Sequence, residues 1–378
     1  MSNTAPSSES KKITTYDLLE LSSQAILDFQ REDGSFPPGQ NDIYNEPETP
    51  VRTTSHWLTT LTHVYEFSGE NKYANAANRA ADYLLTQEAR PYWQTFHSRN
   101  AKTKCDGLVG QGRPTRSLAR AGSVLDRNEL ISAALEVFCI HPFDYNIGLW
   151  EAVEIDGTKT FFDRTLNHQI IFAAQCSELI THSDLVRDRI ECFLDNLENI
   201  MRTHPDGMVQ HYIRPPIHQI IKTTLNCPKH WPLVWNEIIS QYYRHSDERK
   251  MKELGYHSTL LAPMAKLKEE FNDHSVWKST PIKSAIEFTN SNKYINQIRN
   301  EESSHSSMLP GVNHARILRA FHNASTDEIR PWVEMDVNRK FDTESGLFSQ
   351  NSVDPQFQAS SISVLTELPN IEIQSTID

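Results

Sequence analysis

A chain of 378 residues, 38% of them hydrophobic and 23% charged, is long enough to bury a large core, and no run of about 18 apolar residues suggests a membrane span. The formal net charge of −12 argues against nucleic acid or an anionic membrane as partner, so an anionic ligand would need a locally basic pocket. Cys105, Cys139, Cys176, Cys192 and Cys227 lack CxxC spacing and read as reduced, mostly buried thiols, which argues against a disulfide framework and a zinc site.

The first residues, MSNTAPSSESKK, are polar and carry no secretory signal, so 1–12 reads as a disordered tail of a cytoplasmic protein. Apolar residues spaced i, i+3, i+4 then predict helices over 16–30, 54–67, 71–87, 113–122, 127–140, 165–181, 184–203, 231–244, 256–271 and 312–323. Strand alternation is nearly absent, which predicts an all-α fold. A Gly turn followed by apolar residues recurs at Gly34, Gly107, Gly148, Gly207 and Gly346. Such punctuation suggests helix pairs joined by loops that dip toward a common centre, with about sixty residues per pair closing a ring of hairpins over 13–378. An open helical solenoid is the alternative. The segment from about 324 is less regular, and no linker marks a second domain.

One stretch sets a problem. FFDRTLNHQIIFAAQ, residues 161–175, builds a core with Phe161, Phe162, Leu166, Ile170, Ile171 and Phe172, yet also carries Asp163, Asn167 and His168. If all of it is helical, Asp163 and Asn167 share a face, with His168 about a hundred degrees further round. An unpartnered buried carboxylate costs several kcal/mol, so Asp163 either caps the helix or serves chemistry.

The D-x-x-x-N spacing of Asp163 and Asn167 before an apolar helix resembles the catalytic segment of unsaturated glucuronyl and rhamnogalacturonyl hydrolases, glycoside hydrolase families 88 and 105. Three segments in the same order are also similar: WLTTLTHVYEFSG from Trp57, CDGLV around Asp106, and PDGMVQH ending at His211. The likeness covers about residues 20–270. A closer one, over Gln30–Ser35, Pro47–Arg52, Gly107–Gln111, His141–Asp144 and Asn167–Gln169, is to the AglQ-type proteins encoded with protein-glycosylation and polysaccharide genes.

These resemblances imply an (α/α)6 toroid. For the hydrolases they imply hydration of the C4–C5 double bond of an unsaturated uronic acid by a carboxyl whose pKa is raised by burial, which falls on Asp163 here, with Asp106 as second carboxylate. Two departures stand out: Cys105 replaces the family's His before the second aspartate, and Arg52 replaces an aromatic. Arg52 suits a carboxylate or phosphate, or else a salt bridge to Glu46 or Glu48. His211 and Asn167 follow as substrate contacts from the matched motifs, and His168 and His97 from standing beside them. Trp150 and Trp57 are candidates for stacking on a sugar, Trp150 because its Gly turn would place it at the loop end.

No His pair with supporting carboxylates suggests a metal, and no cofactor motif is present. The expected partner is a small oligosaccharide or sugar, and a homo-oligomer is left open. Two other classes stay in view: a sugar isomerase or 2-epimerase using His168 and His211, and a non-catalytic saccharide-binding component of glycan biosynthesis.

Overall fold

The computed structural model describes residues 11–41, 44–101, 103–215, 217–226, 230–243, 246–300 and 309–375. The tail expected over 1–12 lies outside these except for Lys11 and Lys12. They belong to strand β1 (Lys11–Thr14), which pairs antiparallel with β7 (Glu372–Ser375) and ties the two ends together.

Helices follow where the apolar period places them: α1 (Thr15–Ile26), α2 (Val51–Ser68), α3 (Asn71–Leu84), α4 (Val109–Val124), α5 (Asn128–Ile140), α6 (Leu166–Cys176) and α7 (Asp184–Ile200). Then come α8 (Ile217–Asn226), α9 (Trp231–Tyr242), α10 (Asp247–Glu270), α11 (Thr280–Phe288), α12 (Asn292–Asn300), α13 (Pro310–His322), α14 (Thr326–Lys340) and α15 (Pro355–Ser360). Five of these, α8, α11, α12, α14 and α15, were not anticipated. The region after 324 is more regular than its composition suggests. A capping box at Ser325 and Glu328 starts α14, and the Asp354 side chain caps α15.

Six segments form an inner ring by successive packing of α2 on α4, α4 on α6, α6 on α10 and α10 on α13. A 3-10 turn over Ser361–Glu367, continuous with α15, then packs on both α13 and α2 and closes the circle. Helices α3, α5, α7 and α14 back this ring from outside, and a large contiguous apolar core lies between the layers, with a small second cluster around Met208, Leu254, Phe288, Tyr294 and Ile298. The expected (α/α)6 toroid is the observed fold.

Proline in α4 shows how local chemistry accommodates the ring. Pro114 has no N–H for the Gly110 carbonyl, and the Ser98 hydroxyl donates to that carbonyl instead at 3.1 Å.

The recurrent glycines all adopt positive φ, from 56° to 94°. Their loops do not share a centre, however. A Cβ on Gly34 would lie 2.1 Å from the Arg79 carbonyl oxygen of α3, one on Gly148 would meet Asn196 of α7, one on Gly207 the Ser284 carbonyl of α11, and one on Gly346 Ala25 of α1. Those four turns press outward against other helices. Only Gly107 faces the middle.

The stretch 161–175 is likewise not one helix. Phe162 ends strand β4 (Lys159–Phe162), which joins β2 (Phe143–Asp144) and β3 (Leu149–Val153) in a three-stranded sheet, and α6 begins at Leu166. Asp163 therefore precedes the helix and does not share a face with Asn167.

Trp150 is fully buried on β3 among Phe138, Phe143, Phe172 and Phe193, and its backbone N–H and C=O are both held by the Gln169 side chain, at 3.0 and 2.8 Å. It is a core residue and not a sugar platform. Trp57 is also core, packed against Phe36 on the outward side of α2. Trp150→Ala should cost about 3–5 kcal/mol, read as a lowered midpoint in chemical denaturation, because it empties a fully enclosed indole site.

Candidate functional site

A cleft opens along the axis of the ring, and every inner segment contributes to its wall. Arg52, His56 and Thr59 come from α2, Arg113 and Arg116 from α4, and Asn167, His168 and Gln175 from α6. Tyr256 and Thr259 come from α10, Asn313 and Arg316 from α13, and Phe357, Ser363 and Glu367 from the closing segment. Tyr44, Arg99 and Asp106 enter from loops at the mouth. Each inner helix turns a polar stripe at three- and four-residue spacing toward this space and an apolar one toward the core.

The loop before α4 carries Asp106 and Gly107, both left-handed, at φ 57° and 56°. Gln111 pins it: its amide donates to the carbonyls of Phe96 and Cys105 at 2.9 and 2.6 Å and accepts from Phe96 N at 2.7 Å. Asp106 then faces the cleft, ion-paired with Arg99 at 2.9 Å.

Asp163 stands one layer behind. Its Oδ2 bonds His168 Nδ1 at 2.8 Å and accepts from Leu108 N at 3.2 Å, while its Oδ1 accepts from the Thr165 amide and hydroxyl at 3.2 and 2.7 Å. It is thus not the side-chain cap of α6 that the cautious reading offered: Thr165 holds the N-cap position, and Asp163 spans two residues to reach it. Nor does it carry the raised pKa of the hydrolase scheme. Burial pushes its pKa up, but the His168 charge and hydrogen bond, with the two Thr165 bonds, outweigh burial and hold the carboxyl well below the usual range.

The group that lines the cleft is His168. Burial lowers its pKa, yet the charge and hydrogen bond of Asp163, helped by Asp106, prevail and raise it above 6.5. His211 behaves oppositely. Burial, followed by the His168 charge, pushes its pKa down to about 3. It sits behind Tyr256, with ring centroids 5.0 Å apart, and not on the cleft surface, while Asp206 of the same motif turns outward to Lys293. His97 is half-buried in the loop before Cys105 and does not reach the cleft.

Arg52 bonds Glu48 and lies over the Phe357 ring, its guanidinium carbon 3.7 Å from the centroid, so it is both a salt-bridge partner, as one reading allowed, and part of the wall. Glu367 binds Arg116 and Arg316 together; burial raises its pKa, but the two guanidinium charges hold it at about 2. His56 donates to or accepts from Ser363 Oγ at 2.6 Å and is kept neutral by burial and then by Arg113, Arg52 and Arg116. None of Arg113, Arg116, Arg316, His56, Glu367, Tyr44 or Tyr256 was anticipated.

Among the described residues no helix is long and apolar enough to cross a membrane, and of the cysteines Cys105 and Cys176 are buried, Cys139 is exposed and Cys192 intermediate, while Cys227 lies outside the described residues.

A closed ring of paired helices around a polar cleft is the (α/α)6 toroid fold. The chain is similar over 93% of its length to cellobiose 2-epimerase from Spirochaeta thermophila (95% of that chain, 14% identity, TM-score 0.57) and, also over 93%, to the GH76A α-1,6-mannanase of a Salegentibacter species (98% of that chain, 11% identity, TM-score 0.55). At such identities the likeness is one of fold. No protein-family model matches the chain. It is, however, 35% identical over 364 residues to archaeal glycosylation protein Q of Haloferax volcanii, covering 94% of this chain and 98% of that one. The chain belongs to the archaeal glycosylation protein Q family.

The pair Asp163–His168 also makes stability depend on pH. His168, with its raised folded-state pKa, adds stability that is present below 6.5 and lost as pH rises through that folded value. Asp163, with its depressed pKa, adds stability present above 3.8 and lost as pH falls toward its folded value. In Asp163→Asn, burial of His168 is opposed by Asp106 alone, so the His168 ring should titrate at lower pH than in the parent, followed by the pH dependence of its Cε1 proton resonance.

Proposed function

We propose that this chain is a carbohydrate-active enzyme that moves a proton at a sugar carbon, with His168 as general acid–base and Asp163 as the residue that orients and charges it. The observation carrying this reading is the 2.8 Å His168–Asp163 bond at the wall of an axial cleft, with the carboxylate itself locked by Thr165 and the Leu108 amide. An imidazole held by a carboxylate through one ring nitrogen and facing the cleft suits a group that must accept a proton and return it.

Isomerisation or epimerisation beside a sugar carbonyl uses the pair directly. Neutral His168 takes the proton from the carbon next to the carbonyl, leaving an enediolate; the imidazolium then returns that proton to the former carbonyl carbon while the adjacent hydroxyl's proton passes to the former carbonyl oxygen, or returns it to the opposite face of the same carbon once the enediolate has turned. Asp163 steadies the imidazolium without leaving its bonds. The fold fits this reaction, as its likeness to an epimerase illustrates.

Hydration of an unsaturated uronic acid is the second reading, favoured by Asp106 facing the cleft beside His168. There the imidazolium would protonate the alkene carbon C4, the resulting imidazole would take a proton from the water that bonds C5, and the hemiketal would open to release the leaving sugar. It ranks second because the hydrolase resemblance gives the acid's part to the carboxyl at 163, which here is engaged by His168, Thr165 and the Leu108 amide, so that part would have to pass to His168.

Both reactions can be followed in parallel. The wild-type chain should incorporate solvent deuterium beside the carbonyl of a hexose or hexuronate in D2O, read by proton NMR, and His168→Gln should lower that rate by roughly 10²–10⁴-fold. Loss of ultraviolet absorbance from unsaturated uronyl disaccharides, without deuterium exchange, would promote hydration. Neither signal across a broad panel would leave saccharide binding without turnover.

A further inference from the structure

In a chain of net charge −12, the axial cleft is walled by five arginines, Arg52, Arg99, Arg113, Arg116 and Arg316. Four are ion-paired in place. Arg52 pairs with Glu48, Arg99 with Asp106 and Glu46, Arg316 with Glu367, and Arg116 with Glu367 and Glu178; Glu178 also binds Lys266 from behind.

Arg113 differs. Among the described residues it has no carboxylate within ion-pair distance, and its hydrogen bond goes to the Val109 carbonyl of its own helix, at 3.3 Å. Burial, followed by repulsion from Arg52, makes its charged form costly, only partly offset by Asp106 and Glu48. A guanidinium keeps its proton regardless, so the five arginines and Lys266 set six positive charges against the five carboxylates named, and the cleft keeps one positive charge, with Arg113 the arginine left without an ion pair. Asn167, beside His168, adds a second unfinished group: it is 4% exposed, lines the cleft, and its amide oxygen is buried with no hydrogen-bond partner among the described residues. A buried acceptor left unsatisfied is costly unless a ligand donates to it.

We infer that Arg113 is the recognition residue for a single carboxylate on the saccharide, making the substrate a uronic acid, and that Asn167 accepts a hydrogen bond from a hydroxyl of the same sugar. The inference rests on the axial cleft being the saccharide site and is independent of which reaction follows. The charge balance selects a monoanion. One carboxylate cancels the one spare cation and can meet the guanidinium bidentately, whereas a phosphomonoester, carrying close to two charges at neutral pH, would leave an excess inside a buried wall.

Calorimetric titration at pH 7 of D-glucuronate, D-galacturonate, D-glucose and D-glucose 6-phosphate into the full chain, Arg113→Gln, Arg113→Lys and His168→Gln tests it. A uronate should bind the wild type more tightly than glucose and lose roughly ten- to hundredfold in Arg113→Gln, with part of the loss recovered in Arg113→Lys and the glucose affinity unchanged. Thermal melting of Arg113→Gln should match or exceed the wild type, since a half-buried charge without an ion pair is removed, which separates lost recognition from lost folding. Equal affinity for glucose and both uronates, unaltered uronate binding in Arg113→Gln, or preference for glucose 6-phosphate would each overturn the assignment. His168→Gln keeps the two proposals apart: it should bind uronate and not turn it over, so retained turnover sinks the acid–base role alone, while flat uronate arms sink the carboxylate site alone.

Discussion

The geometry of the cleft hangs on the Asp163 carboxylate. It receives the Leu108 amide from the loop before α4, the Thr165 hydroxyl and amide from the start of α6, and His168 one turn further on. Two neighbouring inner helices are thereby joined at their N-terminal ends, and the imidazole is aimed across the cleft. The contact demands glycine at 107: a Cβ there would lie 2.5 Å from Asp163 Oδ2, on a backbone already left-handed. Donors on both of its oxygens favour the ionised carboxylate and outweigh its burial, and in the proposed chemistry its part is to charge and orient a neighbour.

Around that pair, the inner ring solves an electrostatic problem. Buried cations must be matched, and most are: Glu367 bridges α4 to α13 through Arg116 and Arg316. Such pairs seldom add much net stability over apolar packing, but breaking one strands a charge, so they enforce a single arrangement of the ring. Against this background, among the described residues, the Arg113 guanidinium stands out for having no ion-pair partner, and the Asn167 oxygen joins His56 Nε2 and several guanidinium Nε atoms of the wall in having no hydrogen-bond partner. Functional sites are where such local inconsistencies are expected.

The cleft was partly legible in the chain before folding. Asp106, Asn167, His168 and Arg52 were singled out from motifs, and all four reach the cleft wall; Asp163 was singled out and lies directly behind it. Trp150 failed because the same Gly turn that suggested a loop tip starts a short hairpin whose next strand runs into the core, fastened by Gln169 as Gln111 fastens Phe96. A usable signal for the missed residues was present: Arg52, Ser55, His56 and Thr59, or Val109, Arg113 and Arg116, place polar groups at helical spacing opposite an apolar stripe. An outward, solvated face shows the same pattern, so spacing alone could not rank them.

Ten of the fifteen described helices, the all-α class and the glycine turns follow from local forces, namely apolar periodicity and the steric freedom of glycine, and were therefore present in the sequence itself. Which polar stripe faces inward is not local. Arg116 and Glu367 lie 251 residues apart in the chain and meet only when the ring closes. Burial and Coulomb attraction depend on distance in space, so only the folded ring decided that Asp163 gathers its donors behind the wall, that His168 lines the cleft, and that Arg113 has no ion-pair partner among the described residues.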